Sequence, residues 1–153
     1  MPDPYITQQE LTKVAVIHPV LPPGKTQEGV SLRDTKTALE ETVNLCHALP
    51  LEVRWSDVVN VRDVSPHTLL GKGKVAELSD IFADLGVELV VVNTRLQPSQ
   101  QRNLELGLKT KVIDRTGLIL EIFGERAQTH AGRLQVQLAQ LQYQASRLVR
   151  SWT

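Results

Sequence analysis

The stretch Val87-Glu88-Leu89-Val90-Val91-Val92-Asn93 ("VELVVVN", 87–93) decides the fold. A short apolar run rich in β-branched residues, with no polar residue at 89–92, reads as a strand buried on both faces. That is the pattern of a parallel sheet covered by helices on each side. Just upstream, "KVAELSDIFADLG" (74–86) has helical spacing and closes on Gly86 as a C-terminal cap. Just downstream, "QPSQQRNLELGLK" (97–109) carries proline in the first turn of a helix, and "KVID" (111–114) is a short final strand. Working back, "KVAVIHP" (13–19) is another short β-branched run. "SLRDTKTALEETVNLCHAL" (31–49) opens on Ser31 as N-cap, repeats Leu32, Leu39, Val43 and Cys46 at helical spacing, and stops at Pro50. "LEVRWSDVVNVRDV" (51–64) is β-type, with Leu51, Val53 and Trp55 alternating at its start. The order β-α-β-α-β-α-β predicts an α/β fold with a four-stranded, mainly parallel sheet flanked by helices. Strand order does not follow from it.

The last forty residues differ. Leu134, Leu138, Leu141, Ala145, Leu148 and Trp152 are spaced 4, 3, 4, 3, 4, the seam of a coiled coil or helical hairpin. Gln135, Gln137, Gln140, Gln142 and Gln144 fill the other faces. Such a stripe needs a cover: the α/β part, a second copy, or a partner helix beyond Thr153. The expected division is an α/β subdomain over 1–114 and an incomplete helical subdomain, half of a coiled-coil hairpin, over 115–153.

The chain has 153 residues, 41% hydrophobic and 22% charged, ordinary for a soluble globular protein. No apolar run approaches the roughly 20 residues of a membrane span. Cys46 stands alone, which excludes an internal disulfide and fits a reducing cytoplasmic setting. Net charge is zero but uneven: residues 1–101 hold 9 Lys and Arg against 13 Asp and Glu, residues 102–153 hold 8 against 4. A basic end points mildly toward a polyanion such as RNA; a solvated helix face is the plainer explanation.

Two glycine–lysine clusters bear on function. Gly24-Lys25-Thr26 follows a strand, as in a phosphate-binding P-loop. Pro19 stands where the motif needs glycine, however, and Pro22 and Pro23 lack the N–H groups that cradle phosphate. Gly71-Lys72-Gly73-Lys74 lies between a strand and a helix, where free backbone N–H groups and a partial positive charge meet two lysines. It suits a phosphate of RNA or of a nucleotide; a tight βα turn with solvated lysines is the alternative. It is not a P-loop, because Thr68 and Val75 occupy the diagnostic positions. Histidines 18, 47, 67 and 130 show no metal-ligand spacing, and no nucleophile elbow or HExxH pair is present. No catalytic residue and no metal ligand is expected in this chain.

From residue 66 onward the sequence resembles a known family. "LLGKGKVAEL", "QPSQQRNLE", Asp114-Arg115-Thr116-Gly117-Leu118-Ile119-Leu120 and Leu134-Gln135-Val136-Gln137-Leu138-Ala139-Gln140-Leu141 look like the N-terminal domain of HflX-type GTPases. Four positions depart from the pattern: Ala131, Gln137 and the pair Asn93-Thr94 replace more acidic residues. The resemblance implies a cytoplasmic, ribosome-associated translational GTPase that binds the large (50S) ribosomal subunit and splits or rescues stalled ribosomes under stress. It implies two long antiparallel helices after the α/β part, a glycine-rich loop between them that reaches ribosomal RNA, and then a GTPase domain using GTP and Mg2+. The second helix and the GTPase domain are expected to lie beyond the residues read here, so this chain is expected to have no cofactor and no catalysis of its own. Expected partners are the large subunit, its RNA, the GTPase domain and a second copy through the leucine seam. Candidate RNA contacts, chosen by charge and placement, are Lys72, Lys74, Arg115, Arg126, Arg133, Arg147 and Arg150. The alternatives are an independent ATP- or GTP-binding domain and a regulator of the GTPase domain.

Overall fold

A computed structural model of the chain describes residues 11–22, 32–127 and 129–148; the side chains of 32, 33, 147 and 148 lie outside the described set. The elements run β1 (Thr12–Val20), α1 (Leu32–Cys46), β2 (Leu51–Asn60), α2 (Lys72–Leu85), β3 (Leu89–Val92), α3 (Pro98–Leu108), β4 (Lys111–Asp114), α4 (Arg115–Arg126) and α5 (His130–Leu148). α1 ends before the expected residue 49. Its chain tightens through His47, Ala48 and Leu49 N–H groups that each donate to the carbonyl three residues back, the tighter winding common at helix ends. β2 ends at Asn60, short of the expected 64.

The four strands are all parallel, in the order β2-β1-β3-β4. The chain therefore leaves β1 toward one side of the sheet and β3 toward the other. Right-handed crossovers in opposite directions must put their helices on opposite faces. The packing shows this. Val75, Leu78 and Phe82 of α2 and Leu104 and Leu108 of α3 bury one face with Ala15, Ile17, Val90, Val92 and Val112. Cys46 of α1 and Leu118 and Ile122 of α4 bury the other with Val14, Val16 and Val91. The 89–92 run thus feeds both clusters, as its unbroken hydrophobicity requires.

The alternation of Leu51, Val53 and Trp55 is broken by a bulge. Val14 pairs with Val53, but the next residue, Ala15, pairs with Trp55, leaving Arg54 as the extra residue. One inserted residue moves everything after it to the other face. Leu51 and Val53 accordingly pack with the α1/α4 cluster, and Trp55 packs with the α2/α3 cluster. There its ring meets Phe82 edge to face with centroids 5.2 Å apart.

α4 packs as part of the α/β unit, so the residues from 115 onward do not all stand apart from the sheet. α5 returns antiparallel along α4 with Val136, Gln140 and Tyr143 inward, close to Gly124, Leu120 and Gly117. At 100° per residue this places the leucine stripe almost diametrically away. Leu134, Leu138 and Leu141 are 51%, 58% and 61% exposed, and Ala145 is exposed. The stripe is therefore not covered by the α/β part. The side chain of Leu148 and all of Trp152 lie outside the described residues.

Candidate functional site at the carboxyl edge of the sheet

Parallel strands followed by helices bring the N-termini of α2, α3 and α4 to one edge of the sheet. Ligands in open α/β sheets bind along that edge, next to strands whose connections diverge. Here the divergence lies between β1 and β3. His18 and Asn93 sit there, the Asn93 amide 2.9 Å from Nδ1 of His18. Burial, and then the nearby Arg115 charge, hold the His18 imidazole below its ordinary pKa. The Asn93 amide nitrogen can only donate, so in this contact Nδ1 is the acceptor.

The helix starts are not equivalent. α4 is capped by Asp114, whose Oδ1 accepts from Gly117 N–H at 3.1 Å. α3 has a reciprocal capping box between Gln97 and Gln100. α2 has Gly71 at its N-cap and no side-chain cap. Its first turn holds Lys72 and Lys74 and no acid, so its charges oppose the helix dipole; Lys74 reaches Glu77 at 3.5 Å. Nothing lies within 4 Å of a Cβ built on Gly71 or Gly73, and neither has positive φ. Neither packing nor backbone conformation within this chain demands glycine there.

The loop ahead of α2 is held firmly. Buried Leu69 takes a left-handed φ of 67°, a strained state for a branched side chain. Ser65 and Leu69 exchange backbone hydrogen bonds, and Gln100 Nε2 donates to the Ser65 carbonyl at 3.2 Å. Gly71–Lys74 is thus presented by a rigid turn.

The predicted basic residues do not form one patch. Lys72, Lys74 and Arg115 belong to the carboxyl edge. Arg126 ends α4 and Arg133 begins α5 at the far end, where Arg133 shares a cleft with Glu121 and Glu125. The side chain of Arg147 and all of Arg150 lie outside the described residues, as does Gly24-Lys25-Thr26. Sequence reasoning missed the His18–Asn93 contact, which joins residues 75 apart. It also missed the node at Asp114, although Asp-x-x-Gly before an apolar helix is an N-cap signal. Among the described residues no cluster of three or more His, Cys, Asp or Glu could hold a metal ion. Among them also, no helix is long and apolar enough to cross a membrane.

Comparison with known proteins places this geometry. Residues 36–124 match the family model described as GTP-binding GTPase N-terminal, and residues 126–153 match GTP-binding GTPase Middle Region. The GTPase HflX of Magnetococcus marinus is 50% identical over 115 residues, 75% of this chain and 27% of that protein. This chain belongs to the HflX-type GTPase family. The Escherichia coli GTPase HflX is likewise 50% identical, over 88 residues, 58% of this chain and 21% of that protein. The chain therefore spans about a quarter of the length of these relatives, and what it matches is the family's N-terminal and middle regions. In fold it is similar to a crystal structure of a GTP-binding protein from the archaeon Sulfolobus solfataricus in complex with GDP. The TM-score is 0.66 at 20% identity, covering 90% of this chain and 38% of that one. The two family models meet where α4 ends, the same place where packing passes from the sheet to α5.

Proposed function

We propose that this chain is the RNA-docking part of a ribosome-associated HflX-type GTPase, and that the carboxyl edge meets phosphates of the large ribosomal subunit. The observation that carries this is the start of α2. It has uncapped N–H groups, two lysines against the dipole, and two glycines over which nothing packs, all on a rigid turn. A bare glycine backbone lets a phosphate approach closely enough to use those N–H groups. Lys72, Lys74 and Arg115 supply the charge. GTP and Mg2+ belong to the GTPase region of the longer relatives, and splitting or rescue of stalled ribosomes would be driven from there.

Co-sedimentation of the chain with large subunits across a salt series tests this. Binding should weaken as salt rises, and Lys72→Ala with Lys74→Ala should reduce the log–log slope by about 0.7–0.9 for each phosphate no longer neutralised. A slope unchanged by the double substitution rejects the assignment. A second reading, an ATP- or GTP-binding domain in its own right, draws on the His18–Asn93 pair at the diverging strands. Calorimetry with both nucleotides separates the two. Saturable nucleotide binding abolished by His18→Ala, with no affinity for subunits, supports the second.

A further inference from the structure

β4 is the edge strand of the sheet, yet its outward backbone groups are occupied. Glu105 Oε1 accepts from Val112 N–H at 3.1 Å, and Gln101 Nε2 donates to the Val112 carbonyl at 2.7 Å. The Asp114 N–H points at the Tyr143 hydroxyl at 3.5 Å. Two of these guards come from α3 and one from α5. Exposed strand edges invite pairing with other chains, and side-chain cover of this kind blunts them.

The hold on α5 is thin. None of its described side chains is buried, and both hydrophobic clusters are complete without it. Apart from Val136, which faces Gly124, the contacts named here are polar. The Tyr143 hydroxyl donates to Asp114 Oδ1 at 2.7 Å and lies 3.4 Å from Gln101 Oε1; Gln140 Nε2 donates to the Leu120 carbonyl at 3.2 Å. A cavity of about 320 Å³ lies beneath the helix, between Gln101, Glu105, Ile113, Leu120, Gln140 and Tyr143. Close approach depends on Gly117, where a Cβ would stand 2.8 Å from the Tyr143 hydroxyl oxygen.

We propose that α5 is a detachable arm, latched to the α/β unit by the Tyr143 hydroxyl at Asp114, and that releasing the latch frees the Asp114 N–H at the end of the β4 edge while Glu105 and Gln101 of α3 keep Val112 covered. Asp114 keeps its bonds from Gly117 N–H and Leu96 N–H when Tyr143 leaves, so the sheet stays capped while the arm swings. Moving the arm breaks these polar bonds and the packing of Val136 against Gly124.

The test uses spin labels at Asp84→Cys and Gln142→Cys, both exposed positions on α2 and α5, in the full 153-residue chain, with hydrogen exchange read in parallel. Cys46 is buried and does not compete for label. Tyr143→Phe, which keeps the ring, should add a longer-distance population and speed exchange in α5 and at Asp114 N–H about tenfold. Exchange at residues 89–92 should not change. Gly117→Ala should produce the same opening with the hydroxyl retained. An unchanged distance distribution in both variants overturns the proposal. So does loss of protection in α5 and the sheet together, which would make α5 an integral part of the core.

Discussion

Replacing Asp114 tests the structural account most directly, because one fully buried carboxylate serves three elements. Asp114→Ala strips the acceptor from Gly117 N–H, which caps α4, from Leu96 N–H, which closes the turn before α3, and from the Tyr143 hydroxyl. Loss of an N-cap costs about 1 kcal/mol. Removing the acceptor of a buried N–H costs about 1–3 kcal/mol, and the partly exposed tyrosine bond adds about 1. The sum is about 3–5 kcal/mol, a large share of the roughly 5–15 kcal/mol that holds a domain of this size. Urea unfolding followed by circular dichroism should show that loss at an unchanged slope. Asp114→Asn, which keeps one oxygen in place, should lose roughly half as much. A loss below about 1 kcal/mol for the alanine variant would mean that water or another group readily replaces the carboxylate, and the node would not organise the edge.

Glu105 gives a pH-dependent test. Burial raises its pKa, the largest influence on it, against smaller lowering by the Val112 N–H bond and by Lys111. A raised folded-state pKa means its stabilising contribution is full below the unfolded value and is lost as pH rises through the folded one. Glu105→Gln keeps an oxygen for Val112 N–H and does not titrate, so it should gain on the wild type as pH rises from the ordinary carboxylate value of 4.5 through the raised folded one, in parallel melts. Gly107→Ala should destabilise by about 1–3 kcal/mol despite its better helix propensity, since its Cβ would sit 2.7 Å from Cγ1 of buried Val75; Gly107→Ala with Val75→Ala should recover part of the loss. Phe82→Ala should cost about 3–5 kcal/mol in urea unfolding, as a fully buried ring is deleted under Trp55. The Cys46 thiol, pushed up to about 11 by burial, should react with a thiol reagent at pH 8 only at the rate of local opening.

The elements were legible where a single segment carries its own physics. The 89–92 run announced a strand covered on both faces, and Gly86 and Pro98 marked helix ends. Asp114 and Arg115 drew attention through a motif, and Gly71–Lys74 through composition. What was hidden depends on neighbours distant in the chain. The bulge at Arg54 follows from register against β1, so local alternation gave Trp55 the wrong face. Periodicity revealed two faces on α5 but not which one docks. The glutamine and tyrosine side turned inward because Gly117 and Gly124 make room for it, and the leucines turned out. His18 and Asn93 meet only because β1 and β3 are neighbours, which strand order decides.

That adjacency of β1 and β3 also sets a timetable. Val14 cannot meet Leu89 until 75 more residues, Leu89 the last of them, have been made. At about 5–20 residues per second, synthesis leaves β1 without its second neighbour for about 4–15 seconds. During that interval β1, α1 and β2 can assemble, but one flank of β1, with its buried Val14–Ile17 run, stays open. The nascent chain is most vulnerable to misassociation in that window, and the emergence of the valine run closes it.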